Sequence, residues 1–80
     1  MFKPGDIVRY SAEWSTPAER KYLHVLLENR LNPVTGKMSR WLIRTINTSL
    51  FLAPTEEVEE CMIESTGFCV NESGETVEKG

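Results

Sequence analysis

Alternating apolar and polar residues predict two β-strands in the first half of the chain. The first covers residues 6–10, where Ile7 and Tyr10 are side chains that favour a pleated sheet. The second covers residues 39–47 and is the clearest strand of the sequence, because β-branched and aromatic side chains occupy both of its faces. Residues 11–20 are mainly polar and predict a loop after the first strand.

The segment before the second strand fits two different structures. Residues 17–31 space their leucines as an amphipathic helix does, with Thr16 as its N-cap. Residues 22–30 also alternate as a strand, and residues 32–36 have the composition of a hairpin turn, with Gly36 in a left-handed position. A strong strand that follows a turn needs an antiparallel partner before that turn. We therefore favour the hairpin, and the alternative is an α+β fold with a helix at 17–31.

The second half of the chain predicts less regular structure. The apolar run 50–53 is typical of a short buried strand, and residues 55–60 predict one helical turn near the start of a glutamate-rich segment. Residues 58–64 either continue that turn or form a closing strand. Glycine, serine, asparagine and glutamate predominate from residue 65 onwards, which predicts a flexible, partly disordered acidic tail over residues 65–80.

Length and composition indicate one small domain. Eighty residues, 40% hydrophobic and 26% charged, are those of an ordinary globular chain with a single core. The residues expected to form this core are apolar positions on the predicted strands: Ile7, Val8, Leu23, Val25, Leu27, Trp41, Ile43, Leu50, Leu52, Val58 and Ile63.

The sequence predicts a cytoplasmic protein that does not enter membranes. It has no apolar run of the roughly 20 residues that span a bilayer, and its N-terminus lacks the apolar core of a signal peptide. In a reducing compartment Cys61 and Cys69 are expected to be free thiols, with Cys61 a small core residue. Two cysteines and one distant histidine do not supply the four ligands of a structural zinc. We expect neither a metal nor another cofactor.

Charge is unevenly distributed along the chain. Residues 1–54 carry a net charge of +4 and residues 55–80 a net charge of −7, which gives −3 for the whole protein. A mildly basic body is thus followed by an acidic segment. Such segments are usually solvated tails and less often contact surfaces.

The order of these predicted elements resembles that of a small SH3-like barrel. "KPGDIVRY" at the start is similar to the opening strand of such barrels, and "APTEEVEE" is similar to the single turn before their last strand. The resemblance implies a mainly β fold, a five-stranded barrel over residues 1–64 with one short helical turn near 55–60, followed by the tail.

PemK-like ribonuclease toxins form one branch of this barrel type. "GDIV" and "YLHVLL" are similar to their first strand and to the strand after their basic loop. This likeness implies Arg20 or Arg44, together with Thr45, as counterparts of their catalytic groups. The chain departs from the toxins in lacking their Arg-Pro pair before the second strand and in its shorter length.

No arrangement of residues in the sequence indicates catalysis. His24 is the only histidine, and no motif places a nucleophile beside it, so we expect it to be a partly exposed strand residue. We therefore expect a non-enzymatic interaction or regulatory module that binds another macromolecule, with a protein favoured as the partner. Its binding surface would be the aromatic residues of the first loop and its borders, Tyr10, Trp14 and Tyr22.

A nucleic-acid-binding barrel is the first alternative, and the toxin-like ribonuclease is the second. Basic side chains that share a face with aromatic rings contact phosphates and stack on bases. The residues expected to do so lie on the predicted strands or their turns: Arg9, Arg30, Lys37, Arg40 and Arg44.

Overall fold

The computed structural model describes residues 2–47 and 54–79, which form one antiparallel sheet of six strands. The strands are β1 (Asp6–Tyr10), β2 (His24–Arg30), β3 (Arg40–Thr45), β4 (Thr55–Glu59), β5 (Ile63–Val70) and β6 (Thr76–Glu78). Their order across the sheet is β4-β3-β2-β1-β5-β6. The mainly β fold is confirmed, whereas the sheet has six strands instead of five and is not closed.

The turn between β2 and β3 explains why the preceding segment is a strand and not a helix. The side-chain oxygen of Asn32 accepts hydrogen bonds from the backbone N–H groups of Val34 (2.9 Å) and Thr35 (3.3 Å). The backbone N–H of Gly36 donates to the carbonyl of Asn32 at 2.8 Å, and Gly36 has a φ of 74°, in the left-handed region. The predicted hairpin is confirmed, and the alternative helix at 17–31 is wrong because the turn chemistry outweighs the spacing of the leucines.

The inward face of β2 is not the one predicted. Leu23, Val25 and Leu27 were expected in the core, but all three are only partly buried. His24 and Leu26 occupy the inward positions instead, with 3% and 1% of their surface exposed. A shift of one residue exchanges every side chain of a strand between its two faces, so the prediction selected the wrong set.

A β-bulge near the middle of β2 obscured the pattern. Leu26 lies opposite Ile43 and Glu28 lies opposite Leu42, which leaves Leu27 without a partner across the pair. The bulge breaks the alternation of apolar and polar residues, so that three consecutive apolar residues no longer indicate which one points inwards.

Ile7 is buried as expected, with 2% of its surface exposed, and six other buried apolar side chains form a single cluster on one face of the sheet. Phe2 and Tyr10 pack against it and are partly buried. The members of the cluster come from five strands: Val8, Leu26, Trp41, Ile43, Val58 and Ile63. The expected core residues Leu50 and Leu52, like the predicted strand 50–53, lie outside the described residues.

The glutamate-rich segment after Pro54 is a strand, so the helical turn predicted near 55–60 is wrong in its position. β4 pairs with β3 along its whole length, with Val58 opposite Trp41 and buried. The helical turn follows as a 3-10 turn at Glu60–Met62.

Cys61 lies in that turn and is exposed, contrary to the prediction, because Val58 and Ile63 take the inward positions on either side. Both cysteines are free, and Cys69 is partly buried.

The tail predicted from residue 65 is instead part of the sheet. β5 continues to Val70 along β1, and β6 pairs with β5 after a turn at residues 71–74. In that turn the side-chain oxygen of Asn71 accepts from the backbone N–H groups of Ser73 (3.0 Å) and Glu75 (2.9 Å). The chain after β6 is held by Lys79, whose Nζ lies 2.9 Å from a carboxylate oxygen of the buried Asp6. The composition of this segment indicated a solvated tail. The backbone N–H and C=O groups on the second edge of β1 need hydrogen-bond partners, however, and β5 supplies them.

Within the described ranges, no helix is long and apolar enough to cross a membrane.

The inward face of β2 is tested by truncating adjacent leucines. Leu26→Ala should lower the free energy of unfolding by about 2–5 kcal/mol, because it leaves a cavity in the core. Leu27→Ala should cost about 1 kcal/mol, since Leu27 is only partly buried. Urea unfolding followed by tryptophan fluorescence measures both. A larger loss for Leu27→Ala than for Leu26→Ala would contradict the observed register.

Candidate functional site

The long connection between β1 and β2, residues 11–23, is ordered by hydrogen bonds at its start. It contains two single 3-10 turns, at Ala12–Trp14 and Glu19–Lys21. The backbone N–H of Ser11 donates to the carbonyl of Met62 at 3.0 Å, which joins the loop to the turn before β5. The hydroxyl of Ser15 donates back to the carbonyl of Ser11 at 2.8 Å. Hydrogen bonds from Ser11 and Ser15, the residues before and after the first 3-10 turn, therefore fix its position.

The second half of the loop is held by a reciprocal cap. The carboxylate of Glu19 accepts from the backbone N–H (3.1 Å) and the hydroxyl (3.0 Å) of Thr16, and the backbone N–H of Glu19 donates to the Thr16 hydroxyl at 3.3 Å. This is a capping box, and it closes a single 3-10 turn instead of the longer helix for which Thr16 was the expected N-cap. Its hydrogen bonds lower the pKa of Glu19.

Two longer-range contacts attach the end of the loop to the sheet. A guanidinium nitrogen of Arg20 lies 3.4 Å from the carboxylate of Glu64 on β5. The side chain of Asn47 accepts from the backbone N–H of Leu23 at 2.6 Å and donates to the carbonyl of Lys21 at 2.9 Å. Local and distant bonds together fix the backbone of the loop, which therefore presents its side chains in a defined arrangement.

Two of the three predicted binding aromatics are exposed on this loop. Trp14 ends the first 3-10 turn with 54% of its surface exposed, and Tyr22 follows the second turn with 38% exposed. The ammonium group of Lys21 lies 5.4 Å from the centre of the Tyr22 ring, within range of a cation–π interaction. The loop thus displays a tryptophan and a tyrosine accompanied by a positive charge.

Tyr10, the third predicted aromatic, is partly buried and packs against the core. Its hydroxyl donates a hydrogen bond to the carboxylate of Glu56 on β4, and its ring meets that of His24 edge to face at 5.0 Å between centroids. Burial, and then the contact with Glu56, raise the pKa of Tyr10. Sequence reasoning missed this role because it placed Glu56 on a helical turn rather than on a strand facing Tyr10.

His24 is buried, which corrects the expectation of a partly exposed residue. Its Nδ1 lies 3.0 Å from the hydroxyl of Thr45, and its Nε2 is buried and has no hydrogen-bond partner among the described residues. Burial lowers the pKa of His24 below its ordinary value of 6.5, and the charge of Glu56 partly opposes this effect. The imidazole is therefore neutral at pH 7 and structural in its contacts.

The basic residues predicted to bind nucleic acid are largely engaged with glutamates. Arg30 contacts Glu28 (3.1 Å) and Glu57 (3.2 Å). Arg40 contacts Glu59 (2.7 Å) and, at 3.5 Å, the same Glu57. These five side chains form a continuous ion-pair network across β2, β3 and β4. The hydrogen bond from Arg40 is the main cause of a lowered pKa of Glu59.

The other three basic residues take no part in that network, although Arg44 lies on the same outer face of β3 as Arg40. Arg9 is paired with Glu64 on β5 at 3.1 Å. Lys37, in the hairpin turn, and Arg44, on the outer face of β3, are exposed and make no ion pair within the described part of the chain. The acidic segment thus neutralises much of the basic half, which reduces the positive charge that phosphates could meet.

The residues that the toxin likeness implied are distributed over separate places. Arg20 is tied to Glu64 at the end of the loop. Arg44 is exposed and the adjacent Thr45 is buried, so these neighbours on β3 point to opposite faces of the sheet.

Across residues 2–47 and 54–79, no group of three or more histidine, cysteine, aspartate or glutamate side chains converges as a metal site. Comparison of the chain with known protein families, with curated proteins and with solved structures finds no match.

The buried His24 should make the fold sensitive to mild acid. An unfolded histidine takes up a proton near pH 6.5, whereas the folded protein resists protonation because the pKa of His24 is lowered. The contribution of His24 to the free energy of unfolding is therefore fully present above about pH 6.5 and decreases as the pH falls towards 5. Urea midpoints measured from pH 7.5 to 5 should show this decrease for the wild type, and His24→Gln should flatten it. An identical slope in both proteins would assign the acid sensitivity to other groups.

Proposed function

We propose that the chain is a non-enzymatic interaction module that binds another protein through the loop between β1 and β2. The observation that carries this proposal is the exposure of Trp14, at 54%, on a loop whose backbone is fixed by hydrogen bonds. A tryptophan buries a large apolar area when it is covered by a partner, and it also offers an N–H donor. Tryptophan and tyrosine are enriched among the residues that dominate binding energy at protein interfaces.

The rigidity of the loop supports binding as much as its composition does. Association costs conformational entropy when side chains and loops must be ordered, and a preformed surface avoids part of that cost. The Thr16–Glu19 cap and the contacts of Asn47 order this loop before any partner arrives. Lys21 beside the Tyr22 ring adds a positive charge, which favours a partner segment that carries a carboxylate near an apolar or aromatic side chain.

An SH3-like arrangement of the strands is the second part of the proposal. The central strand β1 is flanked by β2 and β5, a long loop follows β1, and a single 3-10 turn separates β4 from β5. This is the order of elements on which the resemblance to SH3-like barrels rests, with β6 added at one edge. Barrels of this kind commonly bind extended peptides along aromatic-lined surfaces, and that argument is one of analogy between folds.

Affinity capture with matched variants tests the aromatic loop. Immobilised wild-type protein is compared with Trp14→Ala and with the control Val34→Ala, whose side chain is 87% exposed on a different turn. We expect wild type and Val34→Ala to retain the same proteins from host lysate and Trp14→Ala to lose them. For a captured protein then purified, Trp14→Ala should weaken Kd at least about tenfold. Unchanged capture by Trp14→Ala, with unchanged thermal stability, would contradict the proposed surface.

Exposed Lys37 and Arg44 favour a nucleic acid as the competing partner, and a salt series separates the two classes. A nucleic-acid binder loses affinity steeply with salt, by roughly one power of the salt concentration for each phosphate neutralised. We expect negligible binding of single-stranded RNA and duplex DNA even at low salt. Steeply salt-dependent binding that is reduced in Lys37→Ala and Arg44→Ala would replace the protein-binding proposal. RNA cleavage that is lost in Arg44→Ala would favour the ribonuclease instead.

A further inference from the structure

The last strand, β6, leaves one edge of the sheet open. It is the end strand in the order across the sheet, and within residues 2–47 and 54–79 no further strand pairs with it. All of its residues, Thr76–Glu78, are exposed, as is the whole turn that precedes it. An open edge presents backbone donors and acceptors with which an extended segment of another chain can pair.

The register of β6 on β5 shows which backbone groups are free. The N–H of Lys79 donates to the carbonyl of Gly67 at 2.9 Å, one residue beyond the pair formed by Phe68 and Glu78. Hydrogen-bonded and non-hydrogen-bonded pairs alternate along an antiparallel ladder, so Glu78 and, two residues earlier, Thr76 are in non-hydrogen-bonded positions. The N–H and C=O groups of these two residues therefore point away from β5, towards the open edge.

The acidic side chains near this edge are free, unlike those of β4 at the other end of the sheet. On β4, glutamates are paired with arginines of β2 and β3. Glu72 in the turn before β6, Glu75 and Glu78 make no ion pair within the described ranges. Lys79 follows them, but its ammonium group is bound to Asp6. The open edge therefore carries negative charge that the fold does not compensate.

This charge selects among the possible occupants of the edge. A second copy of the chain would bring another set of the same glutamates to it, and charged side chains on an edge strand commonly prevent such self-pairing. A segment with basic side chains is attracted instead, because opposite charges in cross-strand positions are stabilising. Val77, 37% exposed, points to the opposite face from Glu78 and offers an apolar contact to the same segment.

We propose that the open edge of β6 binds an extended basic segment of another protein, which adds to the sheet as a further strand. The backbone of that segment pairs with the free N–H and C=O groups of Thr76 and Glu78. In an antiparallel arrangement its basic side chains lie opposite Glu75 and Glu78, and an apolar side chain lies opposite Val77. This edge is separate from the aromatic loop, because residues 11–23 contribute nothing to β5, β6 or the turn between them.

Nuclear magnetic resonance titration of the intact chain tests the proposal with a defined probe. The probe is the peptide acetyl-Arg-Val-Thr-Lys-amide, whose side chains lie opposite Glu78, Val77, Thr76 and Glu75 in the antiparallel arrangement. We expect the backbone amide signals of Thr76 and Glu78 to shift and their exchange with solvent to slow, with a Kd on the order of millimolar at low salt. The signals of residues 11–23 should stay in place, so that the response is independent of the aromatic loop.

Two controls separate strand pairing from simple attraction between charges. The same peptide with its threonine N-methylated keeps every charge but loses the N–H that meets the carbonyl of Thr76, so it should bind about tenfold more weakly. Glu75→Gln combined with Glu78→Gln should weaken binding of the unmodified peptide by roughly two- to fivefold for each charge removed. Glu13→Gln, which removes an exposed glutamate of the aromatic loop, should leave Kd unchanged.

Three results would overturn the proposal. The first is equal binding of the N-methylated and unmodified peptides, and the second is no response of the Thr76 and Glu78 amides up to about 50 mM probe. The third is a dimer of the free protein, measured by sedimentation velocity, that Thr76→Pro abolishes, because a second copy would then occupy the edge. Thr76→Pro suits this test, since proline is accepted on an edge strand where its N–H would face solvent.

Discussion

The position of β1 in the middle of the sheet is the constraint on which the other elements depend. Both of its edges are paired, with β2 on one side and β5 on the other. Gly5, directly before β1, links both neighbours: its N–H donates to Leu26 at 2.8 Å, and its carbonyl accepts from Val70 at 2.8 Å. Its φ of 94° is unfavourable for other residues, and an added Cβ would lie 3.2 Å from the Val70 carbonyl oxygen. β4 lies at one edge of the sheet, whereas β5 pairs with β1. The chain therefore has to turn away from that edge after β4, and it does so in the 3-10 turn at Glu60–Met62.

The acidic half of the protein complements its basic half within the fold. Glu57 and Glu59 on β4 face Arg40 and Arg30, and Glu64 on β5 faces Arg9 and Arg20. The strands that carry these glutamates are far in sequence from the arginines and adjacent to them in space. Pairing across strands thus compensates part of the charge asymmetry of the chain, although exposed pairs of this kind contribute little stability each. Their main consequence concerns function, because arginines that are already paired are less available to phosphates.

Sequence patterns predicted the parts of the structure that local chemistry determines. The turn at residues 32–36 was predictable because Asn32 and Gly36 form it with their own side chain and backbone. The inward face of β2 was not, because the bulge at Leu27 depends on how β3 packs beside it. The exposed Trp14 was also expected, since it lies among polar residues that bond to one another. The packing of Tyr10 against the core was missed because Glu56, its hydrogen-bond partner, comes from a strand that composition indicated as helical.

The loop and the core use the aromatic residues of the chain in opposite ways. On the loop, the polar groups of the backbone are held by internal hydrogen bonds, so Trp14 and Tyr22 offer mainly apolar area to a partner. In the core, Trp41 is 4% exposed and lies opposite Val58 in the same buried cluster. A small domain has few core residues to spare. A change at Trp14 therefore bears on binding, whereas a change at Trp41 acts directly on the packing that holds β3 and β4 together.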